Sequence, residues 1–136
     1  MPTQMFVNLP VKDLNASKGF FSALGFSLDE RFSDERAACV VIGDDIYAML
    51  LTEDFFAGAT SKEIADSHKT AEAIFALGVE NRERVDELAD AALAAGGSAA
   101  GTPMDEGFMY SRGFLDLDGH HWDVFSMDMN AAVPEA

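Results

Sequence analysis

The sequence predicts an α+β protein made of two β-α-β-β-β modules. Strand-like alternation at residues 5–11 returns at 73–79, with Val11 matching Val79. A capped, apolar-striped helix follows each of these strands. Three further strand candidates follow each helix, and a "GDD" or "DG" turn joins the last two. Neither half can bury both its helix and its sheet alone, so pairing with a copy is the physical expectation.

The first module opens with "MFVNLPV" at 5–11. Val7, Leu9 and Val11 share one face; Phe6, Asn8 and Pro10 share the other. Pro10 suits an edge strand or a bulge. "DLNASKGFFSALG" follows as a helix, with Asp13 as its N-cap and Gly25 ending it in the left-handed conformation. Leu14, Phe21 and Leu24 form its apolar stripe. Strands are expected near 26–32, 37–43 and 46–52, with the turn at Gly43–Asp45.

The connector "EDFFAGATSKEIADSHKT" comes next. Thr60 with Glu63 reads as a capping box for a short helix reaching about residue 67. Phe55 and Phe56 are expected to pack on the body. In the second module, Ala73, Phe75, Leu77 and Val79 share one strand face. "NRERVDELADAALAAGG" is the helix, with Val85, Leu88, Ala89, Ala92 and Leu93 on its buried side. Strands near 98–105, 108–116 and 121–127 complete the repeat, and the tail after Asp128 is expected to fray.

Composition excludes several classes of function. The net charge of −15 opposes nucleic acid and anionic membranes, both of which need clustered Lys and Arg. No apolar run approaches the roughly 20 residues that span a bilayer. The opening "MPTQMFVNLPV" lacks the pattern of a signal peptide, so a cytoplasmic location is expected. The single cysteine, Cys39, lies in the apolar run "AACVVI" and reads as packed.

The chemistry concentrates in "FLDLDGHHWDVFS", residues 114–126. In a strand, His121, Asp123 and Phe125 share one face, and His120, Trp122 and Val124 share the other. The two histidines therefore point apart, whereas His121 and Asp123 converge as a pair for proton transfer or partial metal ligation. The bland alternative is a solvated His121 at a turn. In "FMYSRGF", Phe108, Tyr110, Arg112 and Phe114 share a face. Arg112 either clamps a substrate carboxylate or phosphate, or pairs with a nearby acid; the ion pair is favoured in so acidic a chain.

The two modules, "VKDLNASKGFFSALGF" after the first strand and "FLDLDGHHWDV" near the end together resemble the vicinal oxygen chelate superfamily. That superfamily includes glyoxalases, extradiol dioxygenases, and fosfomycin and bleomycin resistance proteins. The resemblance covers nearly the whole chain. It implies a single domain over 1–136, with modules at about 4–52 and 70–128 and a connector at 53–69. It also implies a cup-shaped, eight-stranded mixed sheet around a pocket, and a homodimer. Four positions in the cup hold a divalent metal in metal-binding members. The resemblance carries these to Phe6, Ile74, Asp123 and Tyr47, with Met49 in Tyr47's place after a slip of two residues. Only Asp123 among them keeps strong ligand chemistry, so no metal or other cofactor is expected. If a divalent metal binds, His121 and Asp123 are the candidates.

The expected function is binding of a small organic molecule in an apolar cup. Phe6, Tyr47, Met49, Ile74 and Phe125 would line it, and Asn8, His121, Asp123 and Arg112, with Tyr110 beside it, would anchor the ligand. The alternative is a metal-dependent lyase or dioxygenase with His121 and Asp123 as catalytic residues, completed by Glu72 or His68. A third reading is a dimerisation module with a self-filled cup.

Overall fold

The computed structural model describes residues 3–128. The chain divides into two compact units, Met1–Asp66 and Ser67–Ala136. Each unit contains one four-stranded mixed sheet and the helix that follows its first strand. The frayed tail expected after Asp128 lies outside the described residues.

In the first unit, β1 (Met5–Val11) leads into α1 (Leu14–Ala23). The Asp13 side chain accepts the Ala16 N–H at 3.0 Å and so satisfies one of the free donors of the first turn. Gly25 follows at φ 98°. Then come β2 (Ser27–Asp29), β3 (Ala37–Gly43) and β4 (Ile46–Thr52), in the spatial order β1-β4-β3-β2. β1 pairs parallel with β4, and the other pairs are antiparallel. Leu9, Val11, Ala38, Val40, Ala48 and Leu50 are buried on one face of this sheet, and Leu14, Phe20, Phe21 and Leu24 are buried on or beside α1. Phe20 and Phe21 meet edge to face at 5.0 Å.

Two expectations for this unit are corrected. The strand near 26–32 stops at Asp29, whose carboxylate accepts the Arg31 N–H at 3.0 Å and starts a 3-10 turn over Glu30–Phe32. A local Asp bond outcompetes the ladder there. The connector helix is not at 60–67. It is α2 (Glu53–Ala59), capped by Thr52 through the Phe55 N–H and ended by Thr60. Glu53 and Asp54 in its first turn suit the positive end of the helix. α2 packs against β1 and β4, and the Arg36 guanidinium lies 4.5 Å over the Phe55 ring.

The second unit repeats the plan with β5 (Ile74–Gly78), α3 (Arg82–Ala94), β6 (Ser98–Asp105), β7 (Met109–Leu115) and β8 (His121–Met127). The order is β5-β8-β7-β6, again with one parallel pair, β5 with β8. Val85, Leu88, Ala89 and Ala92 of α3 are buried, as are Phe114, Trp122 and Val124 of the sheet. Phe114 and Trp122 stack with centroids 6.5 Å apart. No helix among the described residues is long and apolar enough to cross a membrane.

Candidate functional site

β8 is launched by a turn held by one buried carboxylate. Asp116 Oδ1 accepts the backbone N–H groups of Asp118 and His120, each at 3.0 Å. Its Oδ2 accepts the Trp122 indole N–H, also at 3.0 Å. Burial pushes the Asp116 carboxyl above the usual carboxylate range, against the pull of His120 and of its three donors. The sequence reading missed this residue. Its signal was an aspartate opening "DLDG", since Asp bonds its own backbone two residues on.

The turn fixes the alternation of β8. His120 points to the covered side and is buried, sharing a hydrogen bond of 3.2 Å with Ser67 Oγ. His121, Asp123 and Phe125 point away from α3. Their register neighbours on β5 are Ile74, Ala76 and Gly78, and those on β7 are Leu115, Gly113 and Ser111. Small and apolar residues thus surround the His121–Asp123 pair. Burial pushes the Asp123 carboxyl up, while the charge of His121 pulls it down. Phe125 lies across Gly78, where an added Cβ would come within 3.1 Å of the ring.

The Asp123 shift gives a pH prediction. Its folded-state pKa is raised above the unfolded value, so the folded chain holds this proton more tightly. The cost of the buried charge is fully present above the raised pKa and disappears as pH falls below the ordinary value of 3.8. Asp123→Asn is therefore expected to raise the melting temperature near neutral pH, with the gain vanishing in acid. Thermal melts of both proteins across pH read this directly.

On the first sheet, Phe6, Asn8, Tyr47 and Met49 share the face away from α1. Phe6 and Tyr47 stack with centroids 4.5 Å apart. The Asn8 side-chain amide donates to Phe6 O at 3.1 Å, and the Tyr47 hydroxyl donates to Asp44 O at 3.1 Å. The sheet registers also revise the expected match between modules. Phe6 pairs with Tyr47 and Ile74 with His121, so His121 corresponds to Tyr47 and Asp123 to Met49. The two-residue slip is the observed arrangement. Gly43 pairs with Ile46 at the strand end, whereas Gly119 sits inside a longer turn at φ 85°. The two hairpin glycines are not equivalent landmarks.

Tyr110 and Arg112 do not join His121 and Asp123; they lie on the sheet face that carries α3. Arg112 donates to Asp86 at 3.0 Å and to Asp90 at 2.9 Å, which is the ion pair favoured from sequence. The Tyr110 hydroxyl donates to Asp86 at 2.6 Å. These two donors, Tyr110 first, hold the Asp86 carboxyl below the usual range. The Arg82 guanidinium, paired with Asp105, lies 4.3 Å over the Tyr110 ring. A cleft of about 690 Å³ opens beside the start of α3, lined by Asn81, Arg82, Phe108, Tyr110 and Met127 among others. Of the residues singled out from sequence as site candidates, Tyr110 alone lines it. Among the described residues, no group of three or more His, Cys, Asp or Glu side chains is placed to hold a metal ion.

Comparison with known proteins agrees with this architecture. Residues 3–43 match the bleomycin resistance protein-like N-terminal family. No curated protein matches in sequence. Among solved structures, hypothetical protein SA1046 from S. aureus is 29% identical, with 93% of this chain and 94% of that chain covered at a TM-score of 0.78. A glyoxalase/bleomycin resistance protein/dioxygenase family enzyme from Burkholderia phytofirmans PsJN is 18% identical over 93% of this chain and 100% of that one, at 0.77. The fosfomycin resistance protein FosX from Mesorhizobium loti is 14% identical over 96% and 97%, at 0.68. The first module is thus similar in sequence to the bleomycin resistance protein-like N-terminal family, and the chain shares its fold with solved members of the glyoxalase/bleomycin resistance protein/dioxygenase family.

Proposed function

We propose that the protein binds a small organic molecule with an apolar body and a hydrogen-bonding group, and that it does so without the superfamily's full metal site. One observation carries this reading. His121 and Asp123 stand side by side on the face of β8 away from α3, among small and apolar neighbours. Asp123 accepts hydrogen bonds when ionised, and His121 either donates or accepts. Ile74 and Phe125 supply apolar surface beside them. A carboxylate already penalised by burial favours a ligand that brings it a donor.

The donor set does not fit a divalent metal of the superfamily type. Such sites need roughly three or four protein ligands. The first module offers Phe6 and Met49, an Asn8 amide that donates to its own strand, and a Tyr47 hydroxyl bonded to Asp44. The second offers Ile74, Ala76, His121 and Asp123 at the matching positions. Two strong donors on one strand, His121 and Asp123, are too few.

Calorimetric titration with Zn²⁺, Ni²⁺, Fe²⁺ and Mn²⁺ tests this part, and no stoichiometric binding is expected. One-to-one binding that is lost in Asp123→Ala would overturn the reading in favour of a metal-dependent lyase or dioxygenase. The ligand is tested with benzylamine and benzyl alcohol by NMR titration. Shifts centred on His121, Asp123 and Phe125 are expected, and stronger ones for the amine because Asp123 is an anion. A cytoplasmic location and pairing with a second copy belong to the same proposal; light scattering on the purified protein reads the pairing.

A further inference from the structure

We infer that Gly113 of β7 is the positioning residue for His121, an inference that rests on the proposed ligand-binding role of the His121–Asp123 pair. His121 is the register partner of Leu115, and Gly113 is the partner of Asp123. Yet the His121 ring reaches Gly113: a Cβ built on Gly113 would lie 3.3 Å from His121 Nε2. The imidazole therefore leans diagonally from its own row into the row of Asp123. Diagonal neighbours on a sheet are within reach of a long or aromatic side chain. A Cβ at 113 would crowd the ring there and push it by a few tenths of an ångström. On the far side of Gly113, the Ala100 carbonyl oxygen would be 2.6 Å from the same Cβ. The β6–β7 register shift between Ala100 and Met104 accompanies this close approach. Gly113 thus has a backbone neighbour that fixes its place and an imidazole lying across it. The row Ala76, Asp123, Gly113, Ala100 carries no side chain larger than the carboxylate, so the His121 ring leans over the row that carries Asp123. A ligand group placed there meets both at once, and a bulkier residue at 113 would separate them.

The test uses the full chain. In the wild type, the His121 ring protons are expected to show a nuclear Overhauser effect to the Gly113 Hα protons; its absence overturns the inference regardless of any ligand. In Gly113→Ala that contact should be lost, the His121 ring ¹⁵N shifts should change, and benzyl alcohol should bind about ten-fold more weakly, as for one lost positioned hydrogen bond. His121→Phe added to Gly113→Ala should cause no further loss, because the two changes remove the same contact. A folded Gly113→Ala that keeps the His121 contact and its affinity would overturn the inference. If Gly113→Ala does not fold, the wild-type contact decides. If neither probe binds the wild type, the binding proposal fails while the wild-type contact still decides the role of Gly113.

Discussion

Replacing Asp116 by alanine is expected to destabilise the second module by about 3–5 kcal/mol. The carboxylate satisfies three donors: the Asp118 and His120 N–H groups and the Trp122 indole. Trp122 and His120 are buried, so water cannot readily replace the lost acceptor. Each unsatisfied buried donor costs roughly 1–3 kcal/mol. Removing a charge that burial already disfavours offsets part of the loss, which keeps the total below the sum of the three. Asp116→Asn should cost less, about 1–3 kcal/mol. It keeps one oxygen for the two backbone donors and turns an amide N–H₂ toward the indole. Trp122 is the only tryptophan, so its fluorescence during denaturant unfolding reports this module selectively. An Asp116→Ala loss no larger than that of an exposed Asp→Ala change would show that the turn is held by its backbone alone.

The neighbouring Gly119→Ala should cost about 2–4 kcal/mol, for two separable reasons. Gly119 sits at φ 85°, a conformation that costs any residue with a Cβ roughly 1 kcal/mol. An alanine Cβ would also lie 2.8 Å from His68 Nδ1 and 2.9 Å from both His68 N and the Ser67 carbonyl carbon. Two of those atoms are backbone and cannot swing away. Gly107→Ala isolates the first reason, because Gly107 has φ 81° and nothing within 4 Å of its added Cβ. It should cost about 1 kcal/mol. Hydrogen exchange supplies a second readout: the amide of His68 should exchange faster in Gly119→Ala and unchanged in Gly107→Ala. Equal effects of the two substitutions would mean that residues 67–68 are not seated on the turn.

These two substitutions concern the stretch where the sequence was most informative and also most misleading. The turn at Asp118–Gly119 and the alternation of β8 were legible, because a strand of period two can present His121 and Asp123 to one face and His120 to the other in only one way. That Asp116 is buried was not legible, because an aspartate in a turn usually faces water. Asp116 is buried, and its Oδ2 accepts the indole N–H of the equally buried Trp122. Tyr110 and Arg112 show the complementary failure. Their shared face was read correctly, but which face α3 covers depends on the helix crossing, which no strand pattern encodes. Asp86 and Asp90 of α3 settle it by pairing with Arg112.

The connector teaches a similar lesson about local competition. Thr60 and Glu63 had the residue types of a capping box, yet Thr52 caps the helix eight positions earlier. The alternatives are close in local free energy, and packing of α2 against β1 and β4 selects one of them. At β2 the choice was also local. Asp29 bonds Arg31 through both backbone and guanidinium, and the strand ends.

The sequence by itself determined the element order, the two-module repeat, the helix cap at Asp13, and the pairing of His121 with Asp123 on one face. These follow from periodicity and capping, which act over a few residues. Tertiary structure alone decided the register that matches Asp123 to Met49, the burial of Asp116 and His120, and the lean of His121 across Gly113. Those depend on which strands lie side by side and how closely they approach, and that is set by long-range packing between residues far apart in the chain.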